Sequence, residues 1–154
     1  MRHPIPLDDF DRRLLTEVQI DNRRPHHVLG ERVGLSPSAV RRRLARLREA
    51  GVITADVSLV SPRASGETVI VGVRMEKESA ATYAAFKARM IDCAEVSQCY
   101  SVSGEVDFIL VVHIADMERY DDWIAEHLLS DPDIARSTAH IVYSRVKYET
   151  ALPV

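Results

Sequence analysis

The chain has 154 residues, 46% hydrophobic and 28% charged, enough for one ordinary domain or two small ones with packed cores. Its longest unbroken apolar run, residues 108–112, is far too short to span a bilayer. The start Met1-Arg2-His3-Pro4-Ile5-Pro6 lacks the apolar core of an export signal, so a cytoplasmic protein is expected. The net charge of −3 is uneven: residues 1–60 hold 11 arginines, no lysine and 8 acids, whereas residues 61–154 hold 9 basic and 15 acidic residues. A basic front and an acidic back predict that only the front meets phosphate.

A first helix is expected from Asp8, with Asp8 or Asp9 as its cap and Phe10, Leu14, Leu15 and Val18 as its buried stripe, ending at Asp21-Asn22. A second helix follows Pro25 and runs through Val33. Gly34 then supplies the positive φ of a turn. Gly30, inside the helix, costs about 1 kcal/mol relative to Ala and implies a close crossing by the next helix.

The third helix, residues 36–50, has Ser36 as N-cap, Pro37 at its first position and Gly51 as its stop. Val40, Leu44 and Leu47 form its buried stripe. Ser38, Arg42, Ala45 and Arg46 fall on the opposite face, and Arg41, Arg43 and Arg48 on the flanks. Such a helix fits the major groove: short Ser38 allows close approach, and arginine pairs with guanine or holds phosphate. Ser36, Ser38, Arg41, Arg42, Arg43 and Arg46 are therefore the candidate DNA-binding residues. Ser38, Arg41 and Arg42 are expected nearest the bases, Arg43 and Arg46 nearer the backbone. Alone, an arginine-rich helix is more often a solvated face. Here the preceding helix, the turn glycine and the capped helix occur together at helix-turn-helix spacing. Residues 52–60, with Val57 and Leu59 alternating with Asp56 and Ser58, read as a strand, and the turn-rich residues 61–66 as a boundary.

The back half alternates. Residues 68–75 read as a strand, 79–91 as a helix with Tyr83, Phe86 and Met90 on one face, and 96–102 and 108–114 as strands, the latter central because it is nearly all apolar. Asp116 caps a second helix with the stripe Met117, Tyr120, Ile124 and Leu128. A fourth strand lies within residues 134–148, with Ile141, Tyr143 and Val146 on one face. The βαββαβ order is the ferredoxin-like plan, which names no function. Its open sheet face predicts pairing with a second copy.

Cys93 and Cys99 make no disulfide framework and read as small buried hydrophobes in a reducing compartment. His3, His26, His27, His113, His127 and His140 show no H-x-x-x-H spacing, so no metal or cofactor is expected. No G-x-S-x-G, phosphate loop or dinucleotide-binding fingerprint is present. Trp123 reads as core.

Five stretches together resemble the Lrp/AsnC family, the feast/famine transcription regulators. They are residues 7–15 (Leu7-Asp8-Asp9-Phe10-Asp11-Arg12-Arg13-Leu14-Leu15), Asp21-Asn22-Arg23, residues 31–38 ending Leu35-Ser36-Pro37-Ser38, residues 48–53 and residues 102–108. The resemblance covers nearly the whole chain. It implies an α+β protein: an N-terminal winged-type helix-turn-helix domain with its linker strand (1–60), a hinge (61–66) and a ferredoxin-like ligand-sensing and oligomerisation domain (67–154). It further implies a sequence-specific regulator of double-stranded DNA, not an enzyme, forming homodimers through paired linker strands and often tetramers of dimers. A small effector, usually an amino acid, is implied at a contact between dimers. Carried onto this chain, the effector residues are Ser103, Gly104, Glu105, Asp107, Ser137 and Thr138. Gly104 would offer backbone N–H groups to a carboxylate, and Asp107 would position an amine or fix the turn. Val106 stands where the family often has Tyr, which removes a hydroxyl and an aromatic wall. A plain hairpin without ligand is the other reading of this turn. Sirohaem decarboxylases resemble the same architecture and give an enzyme alternative. The charge on Arg32, Arg41, Arg42, Arg43, Arg46 and Arg48 argues against it, because a retired DNA helix has no use for it. A nucleoid-organising protein of weak sequence preference is a third reading.

Overall fold

Two compact units make up the computed structural model, which describes residues 6–61, 64 and 66–154. His3 and most of the start read against export lie outside the described residues, as do Pro62, Arg63 and Ser65 of the turn-rich stretch. One unit runs to Ser58 and includes Lys147–Val154. The other is Leu59–Val146.

The helical unit starts with α1, Asp9–Ile20. Asp8 caps it: its carboxylate accepts the Asp11 N–H at 2.8 Å, and the Asp11 carboxylate accepts the Asp8 N–H at 3.2 Å. This reciprocal box satisfies two amide donors that the helix itself leaves free. α2 is His26–Val33 and α3 is Pro37–Glu49. Leu14, Leu15, Leu29, Val33, Val40, Leu44 and Leu47 form the core, with Leu7, Val18 and Leu35 at its edge. The expected α1 stripe is corrected at one end. Phe10 lies outside this core, with the guanidinium of Arg13 over its ring at 4.7 Å. Asp11 takes the buried place instead, at 1% exposure.

Gly34 has the expected positive φ, 77°. A Cβ at Gly30 would stand 2.3 Å from the Leu35 carbonyl oxygen, so the close approach is to the turn entering α3 rather than to the helix. The Gly30 carbonyl also accepts both turn amides, from Gly34 at 2.8 Å and Leu35 at 2.9 Å. α3 stops as expected at Gly51, φ 69°. The Val52 N–H reaches the Leu47 carbonyl at 2.9 Å and the Gly51 N–H the Arg48 carbonyl at 3.0 Å, the paired bonds of a Schellman stop.

Two expectations about chain ends change. Residues 54–60 form no strand, and Val57, Leu59 and Val60 are exposed. A strand needs a hydrogen-bonding neighbour, and a single copy supplies none here. At the other end, the Gln19 side chain accepts the Leu152 N–H at 2.7 Å and donates to the Leu152 carbonyl at 3.0 Å, which ties the last residues to α1.

The second unit is a four-stranded antiparallel sheet in the order β2-β3-β1-β4, formed by β1 (Glu67–Met75), β2 (Val96–Ser101), β3 (Phe108–Ile114) and β4 (Ile134–Ile141). β3 is central, as its composition predicts. Val69, Val71, Val73 and Met75 of β1 and Phe108, Leu110, Val112 and Ile114 of β3 alternate onto one face. There they pack against Phe86 and Met90 of α4 (Ala80–Asp92) and against Tyr120 and Trp123 of α5 (Met117–Ile124). Ser79 and Asp116 cap these helices. The α5 stripe holds for Tyr120, Ile124 and Leu128 and is corrected at its start. Met117 is exposed, Trp123 is fully buried, and a π turn at Ala125–Leu129 brings Leu128 back to the core five residues later. β4 ends at Ile141. Tyr143 and Val146, expected on its apolar face, are each 97% exposed.

Candidate nucleic-acid interface and effector cavity

The arginines of α3 fall into two sets. Arg43 donates from Nη1 to Asp8 at 2.6 Å and to Asp11 at 2.9 Å. Arg46 donates to the other Asp11 oxygen, and Arg48 holds Asp56 at 3.0 Å. Burial pushes the Asp11 carboxyl up, but the bonds from Arg46 and Arg43 outweigh it and hold the group below the usual carboxylate range. Asp8 is held down by the Asp11 N–H and then by Arg43. Arg41 and Arg42 are exposed and, among the described residues, have no carboxylate partner.

The two serines differ as well. The Ser36 hydroxyl accepts the Ala39 N–H at 3.3 Å and lies 3.2 Å from the Ser38 hydroxyl. Ser36 therefore serves the cap, and Ser38 stands exposed two residues along. Ser38, Arg41, Arg42 and Ala45 make one exposed surface opposite the buried Val40, Leu44 and Leu47. A groove of about 280 Å³ beside it is lined by Asp8, Arg42, Arg43 and Arg46. Nothing local in the sequence singles out Asp11, an acid in the first turn of a helix capped by Asp8. Its partners lie 32 and 35 residues away.

In the second unit, a cavity of about 490 Å³ is lined by Gly104, Glu105 and Asp107 of the expected effector set, together with Arg74, Glu76 and Arg136 among others. Ser103, Ser137 and Thr138 do not line it. Ser137 and Thr138 lie opposite Val73 and Gly72 of β1, and successive strand residues face opposite sides of the sheet.

Asp107 fixes the turn. Its carboxylate accepts the Met75 N–H at 2.7 Å and the Tyr83 hydroxyl, and its own N–H donates to the Val73 carbonyl at 2.9 Å. The Tyr83 bond, then the Met75 bond, hold Asp107 below the usual carboxylate range, and the same contact pushes Tyr83 up to about 12. Gly104 has φ 140°, a conformation that side chains avoid. The Val106 side chain lies over Gly72, 3.2 Å from where a Cβ would stand.

Both units match known families in their own right. Residues 7–48 match the AsnC-type helix-turn-helix domain and residues 68–152 the Lrp/AsnC ligand binding domain. An uncharacterized helix-turn-helix-type transcriptional regulator of Sinorhizobium fredii is 42% identical over 99% of this chain and 91% of its own length. The leucine-responsive regulatory protein of Salmonella typhimurium is 31% identical over 96% of this chain and 92% of its own. A transcriptional regulator of Neisseria meningitidis, solved as its L-methionine complex, superposes with a TM-score of 0.89 at 29% identity, covering 96% of this chain and 97% of that one. The chain belongs to the Lrp/AsnC family of DNA-binding transcription regulators, with the family's ligand-binding domain. Regulators of this family bind DNA and small-molecule effectors and form oligomers.

Proposed function

We propose that this chain regulates transcription by binding a specific DNA sequence through α3, under the control of an amino acid that enters the cavity at Gly104, Glu105 and Asp107. The sorting of the α3 arginines carries the reading. Arg41 and Arg42 stay unpaired on the same exposed surface as Ser38, at the N-terminal turns that reach base edges in a major groove. Arg43 and Arg46 keep unspent N–H donors for phosphate, since a guanidinium carries five and these two spend only part of them on Asp8 and Asp11.

The Neisseria regulator solved with L-methionine supports an amino-acid effector. The relatives are named as transcription regulators, which favours that role over the sirohaem decarboxylase reading. A second copy would give the ladder-free residues 54–60 a partner and cover the open sheet face, where Ile70 and Tyr100 are exposed.

Binding-site selection from random duplex DNA tests the reading. The expected result is an enriched pseudo-palindrome whose half-sites lie whole helical turns apart. Recovery of no common sequence, with binding that depends on salt alone, would overturn sequence-specific regulation in favour of nucleoid organisation.

A further inference from the structure

Arg74 of β1 and Arg136 of β4 are direct cross-strand partners in the antiparallel register. Residues so paired project from the same face at close range, and like charges there destabilise the sheet. Both arginines are exposed and neither forms an ion pair among the described residues, though the charge of Arg74 is felt by Asp107 in the same lining. Both line the same cavity as Gly104 and Glu105.

The backbone is shaped at the same point. The register shifts between Arg74 and Met75, so that Met75 pairs with Ile134 and Ala135 is left over. Ala135 also lines the cavity. An extra residue of this kind bends a strand and re-aims its neighbours, and such bulges gather beside functional sites. Two unpaired cations held opposite each other, a bulge and a glycine turn thus meet at one opening. Glu76, Glu78 and Glu105 also line the cavity and supply acceptors for an ammonium group.

The geometry points to an acidic amino acid as the effector, with one carboxylate on Arg74, the second on Arg136 and the ammonium toward the glutamates. Arginine is suited to this, since its planar fork pairs with a carboxylate through two parallel bonds. A neutral amino acid has one carboxylate and leaves one of the two arginines unrelieved. This inference rests on the amino-acid reading of the cavity given above and narrows its class.

The test is a thermal-shift and calorimetric comparison on the full chain, with L-glutamate, L-aspartate, L-glutamine, L-asparagine, L-leucine and L-methionine as probes. A ligand that binds only the folded state raises the melting temperature. L-Glutamate or L-aspartate is expected to raise it and to bind at least tenfold tighter than the matching amide. Arg74→Gln and Arg136→Gln each remove one of two facing like charges, so they are expected to hold or raise the unliganded melting temperature and to lose that preference. Tightest binding by a neutral amino acid, unchanged in the two variants, overturns the acidic class and leaves the amino-acid reading standing. No shift with any of the six probes overturns both.

Discussion

Arg43 and Asp11 meet at 2.9 Å, joining α3 to a carboxylate that is 1% exposed. Arg46 holds the second oxygen of the same group. One buried aspartate therefore sets the direction of two of the five arginines in α3, while Asp8 shares Arg43 at the rim. Removing one partner of a buried ion pair costs about 3–5 kcal/mol, and the half-exposed Arg46 lowers that figure here. Asp11→Ala is expected to destabilise the helical unit by about 2–3 kcal/mol in urea unfolding followed by circular dichroism. A change near zero would show that the pair contributes nothing net. Asp8→Asn keeps a good capping residue and is expected to cost much less than Asp11→Ala in the same measurement.

Gly30 is a steric requirement. An alanine there puts its methyl 2.3 Å from the Leu35 carbonyl oxygen, which is backbone and does not rotate away. Gly30→Ala is expected to cost about 2 kcal/mol or more, against the usual gain of about 1 kcal/mol for this change inside a helix. Equilibrium unfolding decides the sign directly. A stabilised variant contradicts the observed turn.

Tyr83, Met75 and Asp107 tie α4, β1 and the Gly104 turn together. Tyr83→Phe removes one hydrogen bond to a charged group at a half-buried position, a loss of about 1–2 kcal/mol. The acid response has a fixed sign. Because the Tyr83 and Met75 bonds depress the folded pKa of Asp107, its stabilising contribution is complete above the ordinary value of 3.8 and is lost as pH falls through the lower folded value. Melting temperatures recorded from pH 6 down to pH 2 should therefore fall less steeply for Asp107→Asn than for the unaltered chain. Parallel curves would contradict the assignment.

The π turn after α5 predicts an asymmetry between deletions. Trp123 and Leu128 are both buried with a spacing of five. Deleting exposed Glu126 shortens that spacing to four, which an ordinary helix places on one face. Deleting exposed Asp121 instead sets Tyr120 and Trp123 two apart and turns one of them out of the core. The first variant should melt within a few degrees of the unaltered chain and the second well below it. Equal losses would mean that the π turn has no role in packing.

Much of this was legible in the residues. The caps Asp8, Ser36 and Asp116, the stop at Gly51 and the α3 stripe follow from local chemistry, and the order of elements along the chain and the central place of β3 follow from alternation and composition. What stayed hidden depended on distant partners. Asp11 is one acid among several in the first turn of α1 until Arg43 and Arg46 are brought to it. Arg74 and Arg136 become neighbours only through the β1–β4 register and its bulge. Trp123 and Leu128 share a face only because of a π turn that a 3.6-residue period does not contain. Residues 54–60 carry a strand pattern whose partner a single copy does not supply.

The central claim is that α3 reads DNA through unpaired arginines while Arg43 and Arg46 are braced by carboxylates. It is tested most directly by measuring the affinity of Arg42→Ala for the selected site and for random duplex across a range of salt. A lost base contact costs about 1–3 kcal/mol on the specific site. That loss is expected on the selected site, with random duplex affinity much less affected. Equal weakening on both duplexes, with the salt slope reduced by about one charge, would place Arg42 on phosphate and contradict the reading role assigned to it.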